Sequence, residues 1–267
     1  MNREYVKIFS KHLGQEFEML VYGTGGKPIM VFPSQEGRFF DYENFGMIDT
    51  IAPFIETQKI QVYCVDGIDH ETWFSKAPYS ERISRVYDYE KTIINDVVPY
   101  ILGEGHYGAG IMTHGCSFGA FHAANFLLRH PDVFDLGLAL SGCYDIGFAA
   151  NNFDDFDAFS FSPARYSSSI PADLRDKLNS DLLVLCSGQG PWEEWNEEAK
   201  TLAANLKAVR VPVLLDLWGY DVSHDWPWWK KMVVYFLDRL DGMCGFHSMH
   251  RLTSEESTEI INSFSAK

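Results

Sequence analysis

Short, mostly apolar runs recur along this chain, and longer stretches with helical spacing separate them. The runs are "IMVF" (29–32), "IQVYCV" (60–65), "GIMTH" (110–114), "LGLALS" (136–141), "DLLVLCS" (181–187) and "VPVLLDLW" (211–218). A strand that is apolar on both of its faces must be covered on both, which suits the interior of a parallel sheet. Helical patterns fall at about 42–56, 79–102, 118–130, 193–208 and 226–240. Strands alternating with helices of this length make βαβ units and a mostly parallel sheet with helices on both faces. Ahead of them, residues 4–10 and 15–22 alternate around His12-Leu13-Gly14 and predict an antiparallel hairpin.

The alternation reaches residue 240 without a linker-like break, so residues 1–267 are expected to form a single domain. Two segments leave the pattern. Residues 143–172, rich in Phe, Asp and Ser, are expected to be an insertion over the sheet's top. Residues 245–267 form a polar C-terminal tail whose end can add one short helix. The 267 residues are 46% hydrophobic and 15% aromatic, enough for a large core. With 37 acidic against 22 basic residues the net charge is −15, which argues against binding nucleic acid or a membrane surface.

No apolar run approaches the roughly 18 residues that cross a bilayer, and the first residues lack the apolar core of a secretion signal. Cysteines 64, 116, 143, 186 and 244 are odd in number and scattered, which fits reduced, buried thiols and a cytoplasmic location. No cofactor and no metal are expected. Gly103-x-Gly105-x-x-Gly108 follows a helix and precedes a strand, the reverse of a dinucleotide site. Cys244, His247 and His250 lack a fourth ligand, and "NNFDDFD" (151–157) lacks a calcium-loop register and is expected to be a solvated loop.

Chemistry enters at Gly115-Cys116-Ser117-Phe118-Gly119, a Gly-x-Ser-x-Gly pentapeptide between a strand and a helix. That is the setting of a nucleophile elbow: Ser117 sits in a strained turn, and glycines at 115 and 119 allow backbone to pass close by. The helix start then aims free N–H groups at a developing oxyanion. A serine nucleophile needs a base, and the base needs an orienting partner. Of nine histidines, His224 lies in the loop after the last strand and before the last long helix, on the same sheet edge as the elbow. The acid is expected in the loop after strand 181–187, "SGQGPWEEWNEE", with Glu193 preferred because it is closer to the strand end and Glu194 as the alternative. Asp221 and Asp225, which flank His224, are weaker candidates.

Trp192, Trp195, Trp218, Trp226, Trp228 and Trp229 fall in or beside the loops that carry the acid and the base. Flat rings bind aromatic and carbohydrate faces, so Trp192, Trp226 and Trp228 are candidate substrate-binding residues.

The elbow followed by "GAFHAANFLLRHPDVF", together with "HDWPWW" around His224, resembles the esterase branch of the α/β-hydrolase superfamily. That branch includes S-formylglutathione hydrolases, feruloyl and acetylxylan esterases, and mycolyltransferases. The resemblance spans roughly residues 15–240. It implies an α/β-hydrolase fold and the order nucleophile, acid, base, which maps onto Ser117, Glu193 or Glu194, and His224. It also implies two oxyanion donors, the backbone N–H of Phe118 and that of Gln35, the latter with Ser34 as neighbour. The chain departs from the pattern in lacking His-Gly at the end of strand 29–32 and in carrying Pro-Trp-Glu-Glu in the acid loop. The expected activity is hydrolysis of a small-molecule carboxylic ester through an acyl-enzyme on Ser117. An acyltransferase with the same residues, or a non-catalytic binding protein of the same fold, are the alternatives; a homo-oligomer is compatible with either.

Overall fold

The computed structural model describes residues 1–106, 108–150, 155–248 and 250–265. Eight strands, β1 (Arg3–Ser10), β2 (Gln15–Tyr22), β3 (Lys27–Phe32), β4 (Ile60–Val65), β5 (Ile111–Cys116), β6 (Phe134–Leu140), β7 (Leu182–Ser187) and β8 (Val213–Leu217), form one sheet. Its order is β1-β2-β4-β3-β5-β6-β7-β8. β1 and β2 make the antiparallel hairpin, β2 joins β4 antiparallel, and every other pairing is parallel.

Alternation along each strand divides the core. Met30, Phe32, Tyr63, Val65, Leu183 and Leu185 face one layer, with the helices Tyr79–Thr92, Phe118–Arg129 and Asn196–Ala208 over them. Ile29, Val31, Val62, Cys64, Val184 and Cys186 face the other, covered by the helices Met47–Glu56, Trp226–Cys244 and Ser254–Ser265. All six residues of β3, β4, β5 and β7 are buried, which is why their sequences show no amphipathic alternation. The fold is the α/β-hydrolase fold.

Several segments depart from expectation. The helix expected over 42–56 is two helices, Asp41–Asn44 and Met47–Glu56, because Gly46 between them adopts φ +72. The helix expected from 193 starts at Asn196, so Glu193 and Glu194 belong to the preceding loop. The polar tail folds back: Ile260 and Phe264 of its helix bury on the second layer, Phe264 stacking on Phe236 at 5.5 Å. In the 143–172 segment, short helices at Phe156–Phe161 and Pro163–Tyr166 follow the first part, and Cys143, Ile146 and Phe161 pack with Phe118 and Phe121 of the helix after the elbow. Of the stretch 151–157, residues 151–154 lie outside the described residues. Among the described residues, no helix is long and apolar enough to cross a membrane, and all five cysteines are free, four of them buried.

Candidate active site

Ser117 stands between β5 and the helix Phe118–Arg129 with φ 57 and ψ −124, a conformation that a side-chain-bearing residue holds only under constraint. The constraint is local. Its N–H donates to the Leu140 carbonyl of the neighbouring strand at 2.8 Å. A Cβ on Gly115 would lie 2.3 Å from the Gly119 carbonyl, and one on Gly119 would lie 2.5 Å from the Phe32 carbonyl oxygen. The two glycines let the helix start press against β5 and β3, and that pressure holds the hydroxyl at the sheet's carboxyl edge.

His224 arrives from the loop after β8. Its Nε2 is 2.9 Å from Ser117 Oγ, and its Nδ1 is 3.3 Å from Glu193 Oε2. A carboxylate accepts only, so Nδ1–H donates to Glu193 and Nε2 is left to accept from the Ser117 hydroxyl. Glu193 is 2% exposed in its side chain, and its Oε1 accepts from Ser141 Oγ–H at 2.6 Å and from Gly188 N–H at 3.0 Å. The indole N–H of Trp229 donates to Ser141 Oγ at 3.0 Å while its ring meets the His224 ring edge-on at 4.9 Å.

The acid and base loops are bonded to each other. His224 N–H donates to the Pro191 carbonyl and Gly190 N–H to that of Val222; a Cβ on Gly188 would lie 2.1 Å from the same Val222 oxygen.

Of the alternative acids, Glu194 is exposed and has no hydrogen bond or ion pair among the described residues. Asp225 caps the last long helix by accepting from Trp226 N–H, and Asp221 is exposed. His114 lies in β5 below the elbow, where burial pushes its pKa down to about 4 against the opposing Nδ1–H bond to the Leu138 carbonyl; its Nε2 accepts from the Tyr42 hydroxyl. Held neutral and enclosed, it packs the strand.

A cavity of about 270 Å³ opens on Ser117, lined by Gln35, Phe74, Phe118, Cys143, Phe148 and Trp195. The backbone amides of Gln35 and Phe118, at two sides of this cavity, have no protein acceptor among the described residues. The tryptophans proposed to contact substrate sit elsewhere. Trp226 stacks on Phe45 at 4.3 Å, Trp228 packs on the second layer under Lys231, and Trp192 is 74% exposed outside the lining. Helix periodicity turns Trp226 and Trp228 away from the cavity. Trp195, just before the helix Asn196–Ala208, takes the place expected of them and meets the His224 ring at 5.4 Å.

The sequence reading also missed Ser141, Phe74 and Phe148. Ser141 carried a findable signal: like Ser117, it directly follows a buried parallel strand at the carboxyl edge.

No protein-family model matches the chain, and no curated protein sequence matches it. Among solved structures it is similar to a ferulic acid esterase, with a TM-score of 0.69 at 16% identity over 88% of this chain and 96% of that one. It is also similar to an S-formylglutathione hydrolase from Staphylococcus aureus, with a TM-score of 0.61 at 16% identity over 89% and 98% of the two chains. An IroE-like serine hydrolase from Shewanella oneidensis matches with a TM-score of 0.61 at 11% identity over 99% and 94%. These likenesses place the chain in the α/β-hydrolase fold.

Proposed function

We propose that this protein is a serine carboxylesterase in which Ser117 is the nucleophile, His224 the general base and Glu193 the acid that orients it. The observation that carries this reading is the continuous link from Ser117 Oγ through both ring nitrogens of His224 to the buried Glu193. Three side chains from three loops meet in the arrangement that activates a hydroxyl.

His224 Nε2 takes the Ser117 proton as Oγ bonds to the ester carbonyl carbon, and the carbonyl oxygen becomes an oxyanion. The amides of Phe118 and Gln35 receive that charge. The imidazolium, steadied by Glu193, then gives its proton to the leaving alcohol as the C–O bond breaks and the acyl-enzyme forms. Water repeats the sequence: His224 takes its proton, the acid is released, and Ser117 regains its hydrogen. The aromatic lining and small volume of the cavity suit a compact, uncharged acyl group, and a net charge of −15 disfavours anionic esters.

The test is hydrolysis of p-nitrophenyl acetate together with labelling by a fluorophosphonate. Wild type is expected to do both, and Ser117→Ala neither, with kcat/KM lower by roughly 10⁴- to 10⁶-fold. A folded wild type that neither hydrolyses nor becomes labelled is a binding protein, and the reading is wrong.

A further inference from the structure

The two amides that flank the cavity belong to different parts of the chain. Phe118 opens the helix after the elbow, and Gln35 lies in a turn after β3, Ser34–Gly37, closed by Gly37 N–H donating to the Ser34 carbonyl at 2.8 Å. At the third position of that turn Glu36 adopts φ +51, which turns of this sort give to glycine or asparagine. Left alone, a glutamate there would relax and carry the neighbouring Gln35 amide with it.

One side chain opposes that relaxation. Asp69, buried at 2% exposure, accepts from the Glu36 N–H with Oδ2 at 3.2 Å and meets His122 Nε2 with Oδ1 at 2.9 Å. His122 rides the same helix as Phe118, one turn further on. Its ring is fixed edge-on to Phe118 at 5.1 Å and stacked on Phe32 at 5.8 Å. The Asp69 carbonyl, in turn, accepts from the N–H groups of Thr72 and Phe74, so the same residue sets the segment that brings Phe74 to the cavity.

We propose that Asp69, held by His122, is a positioning residue that fixes the Gln35 amide relative to the Phe118 amide, so that both point at one oxyanion. The proposal rests on the esterase reading above. Neither side chain lines the cavity. Asp69 spans the gap between β3's turn and the elbow helix with both of its oxygens, where a neutral apolar residue would leave the Glu36 N–H unpaired and the turn free to open.

Positioning predicts a particular kinetic signature. Asp69→Ala is expected to lower kcat for p-nitrophenyl acetate by about 10- to 100-fold and to leave KM within about twofold. It should weaken inhibition by an aryl trifluoromethyl ketone, whose Ser117 adduct carries an oxyanion, by the same factor as kcat. Asp69→Asn is expected to recover most of both, since its amide oxygen still accepts from Glu36 N–H while its NH₂ donates to His122 Nε2.

Lys27→Met, at the far edge of the sheet, is the comparison for lost stability alone and should leave kcat and ketone affinity unchanged. Amide exchange at Glu36 should speed by at least about tenfold in Asp69→Ala with the elbow helix unaffected, a readout independent of turnover. Should Asp69→Ala fail to fold, His122→Phe, which retains a packed ring but no hydrogen bond, is expected to show the same split in smaller measure. Unchanged kcat and ketone affinity in a folded Asp69→Ala or His122→Phe, with wild type active, would overturn the proposal and leave the esterase reading standing. An inactive wild type would sink the esterase reading, and unchanged Glu36 exchange in the variant would then sink this one separately.

Discussion

β6 and β7 carry polar side chains at both of their ends, and the two ends treat them in opposite ways. At the carboxyl edge Ser141 follows β6 and Glu193 stands in the loop after β7; the carboxylate is enclosed by donors from Ser141, Gly188 and His224. At the amino edge Asp135 lies near the start of β6 and Asp181 directly precedes β7. Asp135 Oδ2 accepts from Lys27 Nζ at 2.6 Å and from Leu252 N–H at 2.9 Å, while its Oδ1 has no partner among the described residues. Asp181 has no hydrogen-bond partner for either oxygen among the described residues, only the longer ion pair with Arg251. Burial pushes its pKa up to about 8, against the pull of the Arg251 guanidinium 3.7 Å away and with the help of the nearby Asp135. One edge supplies donors to a carboxylate from every side, and the other supplies too few for two. Buried acids at these two edges therefore keep different company: the proposed base His224 at the first, and the C-terminal segment that they help to attach at the second.

The largest effects should fall on opposite quantities. Glu193→Gln presents an amide NH₂ to His224 Nδ1, reverses the tautomer, and takes away the lone pair that accepts the Ser117 proton. Its kcat/KM is expected to fall by about 10²- to 10⁴-fold while the melting temperature shifts by a few degrees at most. Lys27→Met should do the reverse. It strands Asp135, 0% exposed, as an uncompensated buried charge, and the loss of stability should be about 3–5 kcal/mol by denaturant titration. Activity per folded molecule should be unchanged. If Lys27→Met slowed turnover or Glu193→Gln unfolded the chain, the division between the two edges would be wrong.

How much of this could be read beforehand follows the same division. The elbow was legible because its requirements are local: two glycines, a serine, a strand before and a helix after. That His224 and the loop of Glu193 would meet Ser117 was legible from chain order and sheet edge. Glu193 rather than Glu194 meets His224, for a geometric reason that the sequence only hints at. The helix starts at Asn196, so the segment before it is free to turn one carboxylate inward and leave the other in solvent.

Trp226 and Trp228 were misplaced because a helix decides which face each ring occupies, and Trp192 because its loop turns the ring into solvent. The amino edge was not legible at all. Lys27 and Asp135 are 108 residues apart, and Arg251, which donates to the carbonyls of Pro131, Asp132, Val133 and Phe134, comes from what reads as a polar tail. Its charged residues look like solvated surface until the strands bring the partners together.

Asp181 gives the comparison a pH dependence. The folded chain keeps the Asp181 proton up to about pH 8, whereas an unfolded aspartate releases it near about 3.9. Between those values the native state binds more protons, so this group's contribution to stability is complete below pH ~4 and is lost as pH rises through about 8. Asp181→Asn cannot ionise. The melting temperature of the variant minus that of wild type should therefore climb from pH 5 to about pH 8 and level off above it, by a thermal scan at each pH. A flat difference would mean that Asp181 ionises freely in the fold and that the amino edge is better solvated than its 2% exposure implies.

The smallest expected effect tests how far the donor shell of the carboxyl edge reaches. Trp229 does two things there: its ring packs against His224, and its N–H donates to Ser141 Oγ, which donates on to Glu193. Trp229→Phe keeps most of the ring contact and deletes the N–H. Ser141 Oγ then lacks the donor that fixes its rotamer, and its own hydrogen is free to leave Glu193 Oε1. A neutral hydrogen bond of this kind is worth about 0.5–1.5 kcal/mol, so kcat should fall by a factor of about 2 to 10. Ser141→Ala removes the same link one step closer to the acid and should cost at least as much. If the relay is real, the double variant should be no slower than Ser141→Ala, since both changes break one chain. Additive losses would mean that Trp229 acts on His224 through ring packing alone, and that the donors around Glu193 stop at Ser141 and Gly188.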